Sequence, residues 1–487
     1  MTRIRYRPLT MSYSSAIDAL KEAMPNGVFT QRGEELYETL NGSYLSGFES
    51  DLKPYWIVQP RTKEDVSAFV KVISSRTDGI VFAVRGGGQQ PLPGCANIQD
   101  GITLDLALLT GIDSSNGLVK IGAGERWGAV YDKLGAEGLA VAGGRSAANG
   151  IGGLTTEGGL SFFSSRKGFI CDNVINFEVV LASGAIVQAN AKDHSDLWKG
   201  LKGAGNNLGI VTRYDFRTFK QGKIWGGFLY YFAPTFPSQL EALVKVLNDP
   251  VESKRTHLMV STGYSALFGD DVMCLNQPYY LDEVENPPVI DVFSKMQPQI
   301  DALNTMRLQT VSEAAQEQAG GTQSQVRCAY MNITVKADVP TLQAATDIYV
   351  GGLGPVKPVA GLLASFTLQP YPTSLLEQSE ETGGNMLGLK RSDGPLVSVL
   401  LLSYWQNKSD DDAVIAFMKE ALEKMKQDAA GRGTLLPFVY MNYAWTHQDP
   451  INSYGAQNKK KLQEASKKYD PKGLFQKACP GGFKLFP

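Results

Sequence analysis

Histidine is scarce in this sequence and cysteine is unorganised. There are three histidines (His194, His257, His447) and five cysteines (Cys95, Cys171, Cys274, Cys328, Cys479) in 487 residues. No two cysteines form a C-x-x-C pair and none lies in a Cys/His cluster, so the pattern suggests neither a zinc site nor a disulfide framework. Long apolar runs are also missing. Nothing approaches the roughly 20 residues of a membrane span, and Met1-Thr2-Arg3-Ile4-Arg5-Tyr6 is followed by polar sequence without the apolar core of a secretory leader. A net charge of −2 gives no electrostatic reason to recruit nucleic acid or an anionic membrane. These absences point to a cytoplasmic protein whose partner is a small molecule, with no metal, nucleic acid or membrane involved.

Length alone suggests more than one domain. From Pro54 to about Phe219, short apolar runs alternate with glycine-rich turns. The run Ile80-Val81-Phe82-Ala83-Val84 reads as a buried strand. Residues 64–73 place Val66, Phe69, Val70 and Ile73 at helical spacing, with Thr62 as N-cap, and Phe177 to Val187 reads as two strands joined at Ser183-Gly184. Beyond Phe219 the pattern changes to longer helices, such as 239–247 and 411–425, alternating with strands such as 397–402. This predicts a second α+β region, a sheet with helices on one face.

Glycine is abundant, with 51 residues, and it concentrates in three loops. The first, Arg85-Gly86-Gly87-Gly88-Gln89-Gln90, follows a strand directly, where bare backbone N–H groups can converge on an anion such as a diphosphate. The second runs from Gly143 through Arg145, Ser146, Asn149, Gly150, Gly152 and Gly153 to Gly158-Gly159. The third is Gly203-Ala204-Gly205-Asn206-Asn207-Leu208-Gly209-Ile210-Val211-Thr212. None fits the strand–turn–helix G-x-G-x-x-G pattern with a following acidic residue, which disfavours a Rossmann fold. Any one loop can be a set of tight turns, but three in one region favour a nucleotide cofactor.

The order of these loops, with Leu197-Trp198 before the third, resembles the FAD-binding domain of berberine-bridge-like oxidoreductases, a branch of the vanillyl-alcohol-oxidase (PCMH-type) superfamily, and most closely its fungal secondary-metabolism members. The tail adds Tyr440-Met441-Asn442-Tyr443, Tyr454-Gly455 and Asn458, then Tyr469-Asp470-Pro471 and Phe475. The resemblance implies an α+β, two-domain PCMH-type fold. Residues 1–219 would bind FAD, 220–437 would form a substrate domain of antiparallel sheet covered by helices, and 438–487 would return to the FAD domain.

By the same resemblance Arg85, Gly86, Gly87, Gly88, Gln89 and Gln90 would cradle the diphosphate. Ser146, Asn149, Gly150, Gly152 and Gly153 would line the ribityl and ring region, Ile210 and Val211 would meet the cofactor through backbone groups, and Asn458 would stand near the pyrimidine. Gln369, Tyr371 and Asn385 match segments that line the substrate cleft, and Tyr440, Asn442 and Tyr443 would lie beneath the ring.

Two departures from the family pattern bear on attachment. Relatives usually carry a flavin-bonding histidine where this chain has Gln89, and bicovalent members carry a cysteine where it has Ser146. Neither an amide nor a hydroxyl supplies the required nucleophile, so non-covalent FAD is expected. Two activities follow: FAD-dependent oxidation of a small organic substrate, with O2 as a candidate acceptor, or a redox-neutral isomerisation or cyclisation on the same fold.

For catalysis three residues stand out. Tyr443 would act as base or orienting group, although a phenol that titrates at about 10 needs a stabilising partner to do so. Glu157, where relatives place a small residue, is either turned to solvent or an acid or base near the ring. His447 is the histidine of the tail. Read as a strand, 440–443 would put Tyr440 and Asn442 on one face and Tyr443 on the other.

Overall fold

The computed structural model describes residues 9–321 and 326–486, so the N-terminal stretch read above lies outside the described residues. The helix Lys63–Ser74 starts at Thr62 through a reciprocal pair of bonds: Asp65 N donates to the Thr62 hydroxyl (3.1 Å) and Thr62 N donates to the Asp65 carboxylate (3.0 Å). Its apolar stripe, Val66, Phe69, Val70 and Ile73, is wholly buried.

Two larger sheets dominate the first half of the fold, beside a two-stranded pair of Leu139–Ala140 with Phe219–Lys220. In one, Val28–Gln31 pairs antiparallel with Trp56–Gln59, which lies parallel to Ile102–Asp105, itself parallel to Phe82–Arg85. The other is antiparallel throughout, in the order Ile112–Ser115, Leu118–Gly122, Ile210–Arg217, Val174–Val180, Ile186–Asn190. The tail packs back onto this half. Phe82 N donates to Ala478 O (2.7 Å), and Asn206 and Asn207 of the third glycine loop donate to the carbonyls of Gly481 (3.0 Å) and Phe483 (2.7 Å).

The central part is a nine-stranded antiparallel sheet. Period-two alternation decides its two faces. Along Thr256–Ser265, Leu258, Val260 and Tyr264 join the core beneath the helices, while Met259, Ser261, Gly263 and Ser265 face a cleft. The neighbouring strand Leu363–Tyr371 repeats the arrangement, with Ala364, Phe366 and Leu368 in the core and Leu363, Ser365, Thr367 and Gln369 toward the cleft. Helices Phe236–Leu247, Val339–Gly352 and Asp411–Gly431 supply the opposite side of that core.

This is the mixed helix-and-sheet architecture expected from the sequence. Among the described residues no helix is long and apolar enough to cross a membrane, and no His/Cys/Asp/Glu group could hold a metal.

Candidate active site

A cavity of about 650 Å³ lies between the glycine loops and the polar face of the central sheet. Such a volume suits a ligand of cofactor or substrate size. At the loop end, Gly86 to Gln90, Ser146, Asn149, Gly150, Gly152, Gly153, Ile210 and Val211 all line it. The first two loops touch through bare backbone: a Cβ on Gly87 would lie 2.5 Å from Gly150 N, and one on Gly150 would lie 2.6 Å from Gly87 N. Arg126 clamps the pair, donating to Gly87 O (3.2 Å) and to Ala148 O.

Arg85 departs from the expectation. Its guanidinium points away from the cavity, donating to Leu40 O (2.8 Å), Ser43 O (3.1 Å) and Ser43 Oγ (2.7 Å), and lies over the Tyr44 ring at 3.9 Å. It fixes the floor under the first loop and is not part of the cavity wall.

The tail also differs from its reading as a strand. Met441–Tyr443 is a turn of 3-10 helix. Asn332 imposes it, because its side-chain amide both accepts from Tyr440 N (2.9 Å) and donates to Tyr440 O (3.0 Å), which removes that backbone from any ladder. Residues three apart eclipse in such a turn. Tyr440 and Tyr443 therefore lie on one side, rings edge to face at 4.8 Å, and both line the cavity.

At the sheet end, Arg145 organises the wall. Its Nη2 donates to the Tyr443 hydroxyl (2.6 Å) and to Gln369 Oε1 (3.0 Å), Nη1 reaches Met259 Sδ (2.9 Å), and the Tyr443 hydroxyl in turn donates to Gln369 Oε1 (3.2 Å). The phenol thus has a fixed O–H direction and a cation on its oxygen. The sequence pattern places Arg145 in the second glycine loop and gives it no role. A lone arginine between paired glycines and a serine is the one signal available there.

Glu157 also lines the cavity, accepting from Asn442 Nδ2 (3.2 Å). Burial pushes its carboxyl up to about 8, against the opposing pull of the nearby Gln90 amide, so it is protonated at neutral pH. Asn442 completes this wall by accepting from Gly159 N (3.1 Å).

Four expected site residues lie elsewhere. His447 is exposed, facing Lys419, Glu423 and Lys426 of the helix Asp411–Gly431. Tyr371 is buried among Phe169, Phe438 and Tyr440. Asn385 donates to Asp172 (2.9 Å), and Asn458 donates to the carbonyls of Met386 and Tyr454 (both 3.3 Å). These three hold the scaffold behind the cavity. Of the remaining histidines, His194 is exposed, and His257 is half-buried against Phe162 and Tyr279, where desolvation, and then Arg145, push its pKa well down.

The donor set suits a dinucleotide at the loop end. Two bare main chains share one wall, so close that a Cβ on either would meet the backbone of the other. Comparison with known proteins agrees. A family described as an FAD binding domain matches residues 54–190. An FAD-dependent monooxygenase of Fusarium proliferatum is 36% identical over 462 residues, 91% of this chain and 87% of its own. Another, of Cochliobolus heterostrophus, is 34% identical over 473 residues, 92% and 89% of the two chains. The structure of berberine bridge enzyme in complex with (S)-reticuline superposes with a TM-score of 0.76 at 15% identity, over 97% of this chain and 98% of the other. The chain belongs to the family of these FAD-dependent monooxygenases, and its fold is that of berberine bridge enzyme. It is an FAD-dependent redox enzyme.

Proposed function

We propose that this enzyme holds FAD without a covalent bond and oxidises a small organic molecule of fungal secondary-metabolite type, with Tyr443 facing the reacting atoms. The observation that carries the reading is the Arg145–Tyr443–Gln369 cluster on the cavity wall opposite the glycine loops. Supporting the non-covalent attachment, the cavity presents a Gln89 amide and a Ser146 hydroxyl where relatives bond the ring. Cys95 also lines it, but burial and then the Glu49 carboxylate beside it push the thiol well above its ordinary range, which makes it a poor nucleophile.

Gly86 to Gln90 with Asn149 to Gly153 would hold the cofactor, whose chemistry is to accept the two electrons of a hydride equivalent from a substrate carbon. The chain's own contribution is positional. Arg145 and Gln369 fix the Tyr443 oxygen, which would orient a substrate O–H and, as the phenolate paired with the Arg145 guanidinium, take its proton as the carbon is oxidised. O2 would be the electron acceptor, reduced to hydrogen peroxide. The division into 1–219, 220–437 and 438–487 is part of this reading, supported by the separate apolar core of the central sheet and the tail's return to the first half. A cytoplasmic location fits the five unpaired cysteines.

The test is anaerobic mixing of the FAD-loaded protein with a panel of small hydroxylated and enolic compounds. A substrate bleaches the visible flavin band, and admitting O2 restores it with one peroxide per turnover. If turnover products form while the band never bleaches, the enzyme is a redox-neutral isomerase or cyclase and the oxidation reading fails.

A further inference from the structure

Arg145 and Glu157 are the two residues of the described cavity wall that belong to the charged types; no lysine, histidine, aspartate or second arginine lines it. Arg145 has no carboxylate within ion-pair distance among the described residues. Its partners are an amide oxygen, a phenol and a thioether, the last a weak acceptor that leaves Nη1 underused. A guanidinium facing a largely apolar cavity without a counter-charge is costly, and an anionic guest relieves that cost. Glu157 does not compensate it, being protonated at neutral pH.

A second observation lies at the mouth. Leu267 and Phe268 line the cavity yet are 81% and 41% exposed, and Phe268 lies 6.0 Å from the Tyr230 ring, with Phe228 further along the same wall. Apolar side chains left open at a cavity rim mark a surface that a ligand covers.

We propose that the substrate is an amphipathic acid, whose anionic oxygen pairs with Arg145 while its apolar body runs out along Phe228, Tyr230, Leu267 and Phe268. This names the substrate class of the oxidation site and rests on that reading. The charge selects the guest and the apolar wall sets its length, so both ends contribute to affinity.

Calorimetric titration of the FAD-loaded enzyme with octanoate, octanamide and acetate tests it, with flavin occupancy read separately from visible absorbance. Octanoate should bind at least tenfold more tightly than its neutral isostere octanamide, and at least tenfold more tightly than acetate. Arg145→Met should erase the preference over octanamide, and Arg145→Lys should keep most of it, both at unchanged flavin content. Equal binding of octanoate and octanamide by the wild-type enzyme overturns the proposal, whatever the variants do. So does a preference that survives Arg145→Met. An Arg145→Met variant that loses flavin while wild type shows no acid preference assigns the cation to the cofactor instead. A protein that binds octanoate selectively but carries no flavin refutes the oxidation reading and leaves the acid site standing.

Discussion

Gly87 and Gly150 lie back to back, so that a Cβ built on either would lie 2.5–2.6 Å from the backbone of the other. Two loops distant in the chain thereby become one wall of the cavity. Neither main chain can give way without moving its loop. Gly87→Ala should cost about 1–3 kcal/mol in overpacking and lose flavin on purification. Gly86→Ala, whose Cβ would meet only Gly152 Cα at 4.0 Å, should leave the melting temperature at the wild-type value. Equal melting temperatures for the two variants would show that the contact is not tight.

Tyr443→Phe keeps the edge-to-face packing on Tyr440 and Tyr330 and removes the hydroxyl held by Arg145 and Gln369. Loss of a general base typically costs about 10²–10⁴-fold in rate. Turnover should fall by that order with flavin content and melting temperature unchanged. Turnover within a fewfold of wild type would make the hydroxyl a packing feature, and Glu157 the next residue to vary.

Glu157 makes stability pH-dependent. Its folded pKa of about 8 exceeds the ordinary 4.5, so its contribution is fully present below the ordinary value and is lost as pH rises through 8. A tenfold difference in proton affinity between the folded and unfolded chain corresponds to about 1.4 kcal/mol. The surroundings do not mask this: Gln90 and Asn442 do not titrate, and burial holds Cys95 and Tyr454 neutral well past that pH. Between about pH 6 and about pH 9 the wild-type melting temperature should fall more steeply than that of Glu157→Gln, which keeps the shape and cannot ionise. Parallel curves would place the carboxyl in contact with solvent.

Local features are legible in the sequence where local physics decides them. The helix behind Thr62 and the strands flanking Ser183-Gly184 form as the spacing indicates, since caps and turns depend on a few adjacent residues. The glycine loops are legible as a group because close backbone approach leaves little choice of residue. The tail is not, because alternation in four residues is weak evidence, and the contact that decides its conformation comes from Asn332, more than a hundred positions away. Arg145 escapes notice for a related reason. Its importance lies in partners at positions 259, 369 and 443, which no local pattern reveals. Arg85 shows the converse: adjacency to a cofactor loop suggests a ligand contact, while Leu40 and Ser43 already engage the guanidinium.

Non-covalent attachment of the flavin, as proposed above, is what the rest depends on. Acid precipitation of the purified protein, with absorbance of the supernatant and intact-mass analysis of the pellet, measures it most directly. The expected result is one FAD per chain, all of it released to the supernatant, and a chain mass equal to that of the sequence. A flavin adduct on the chain, at Gln89, Ser146, Cys95 or elsewhere, would contradict it.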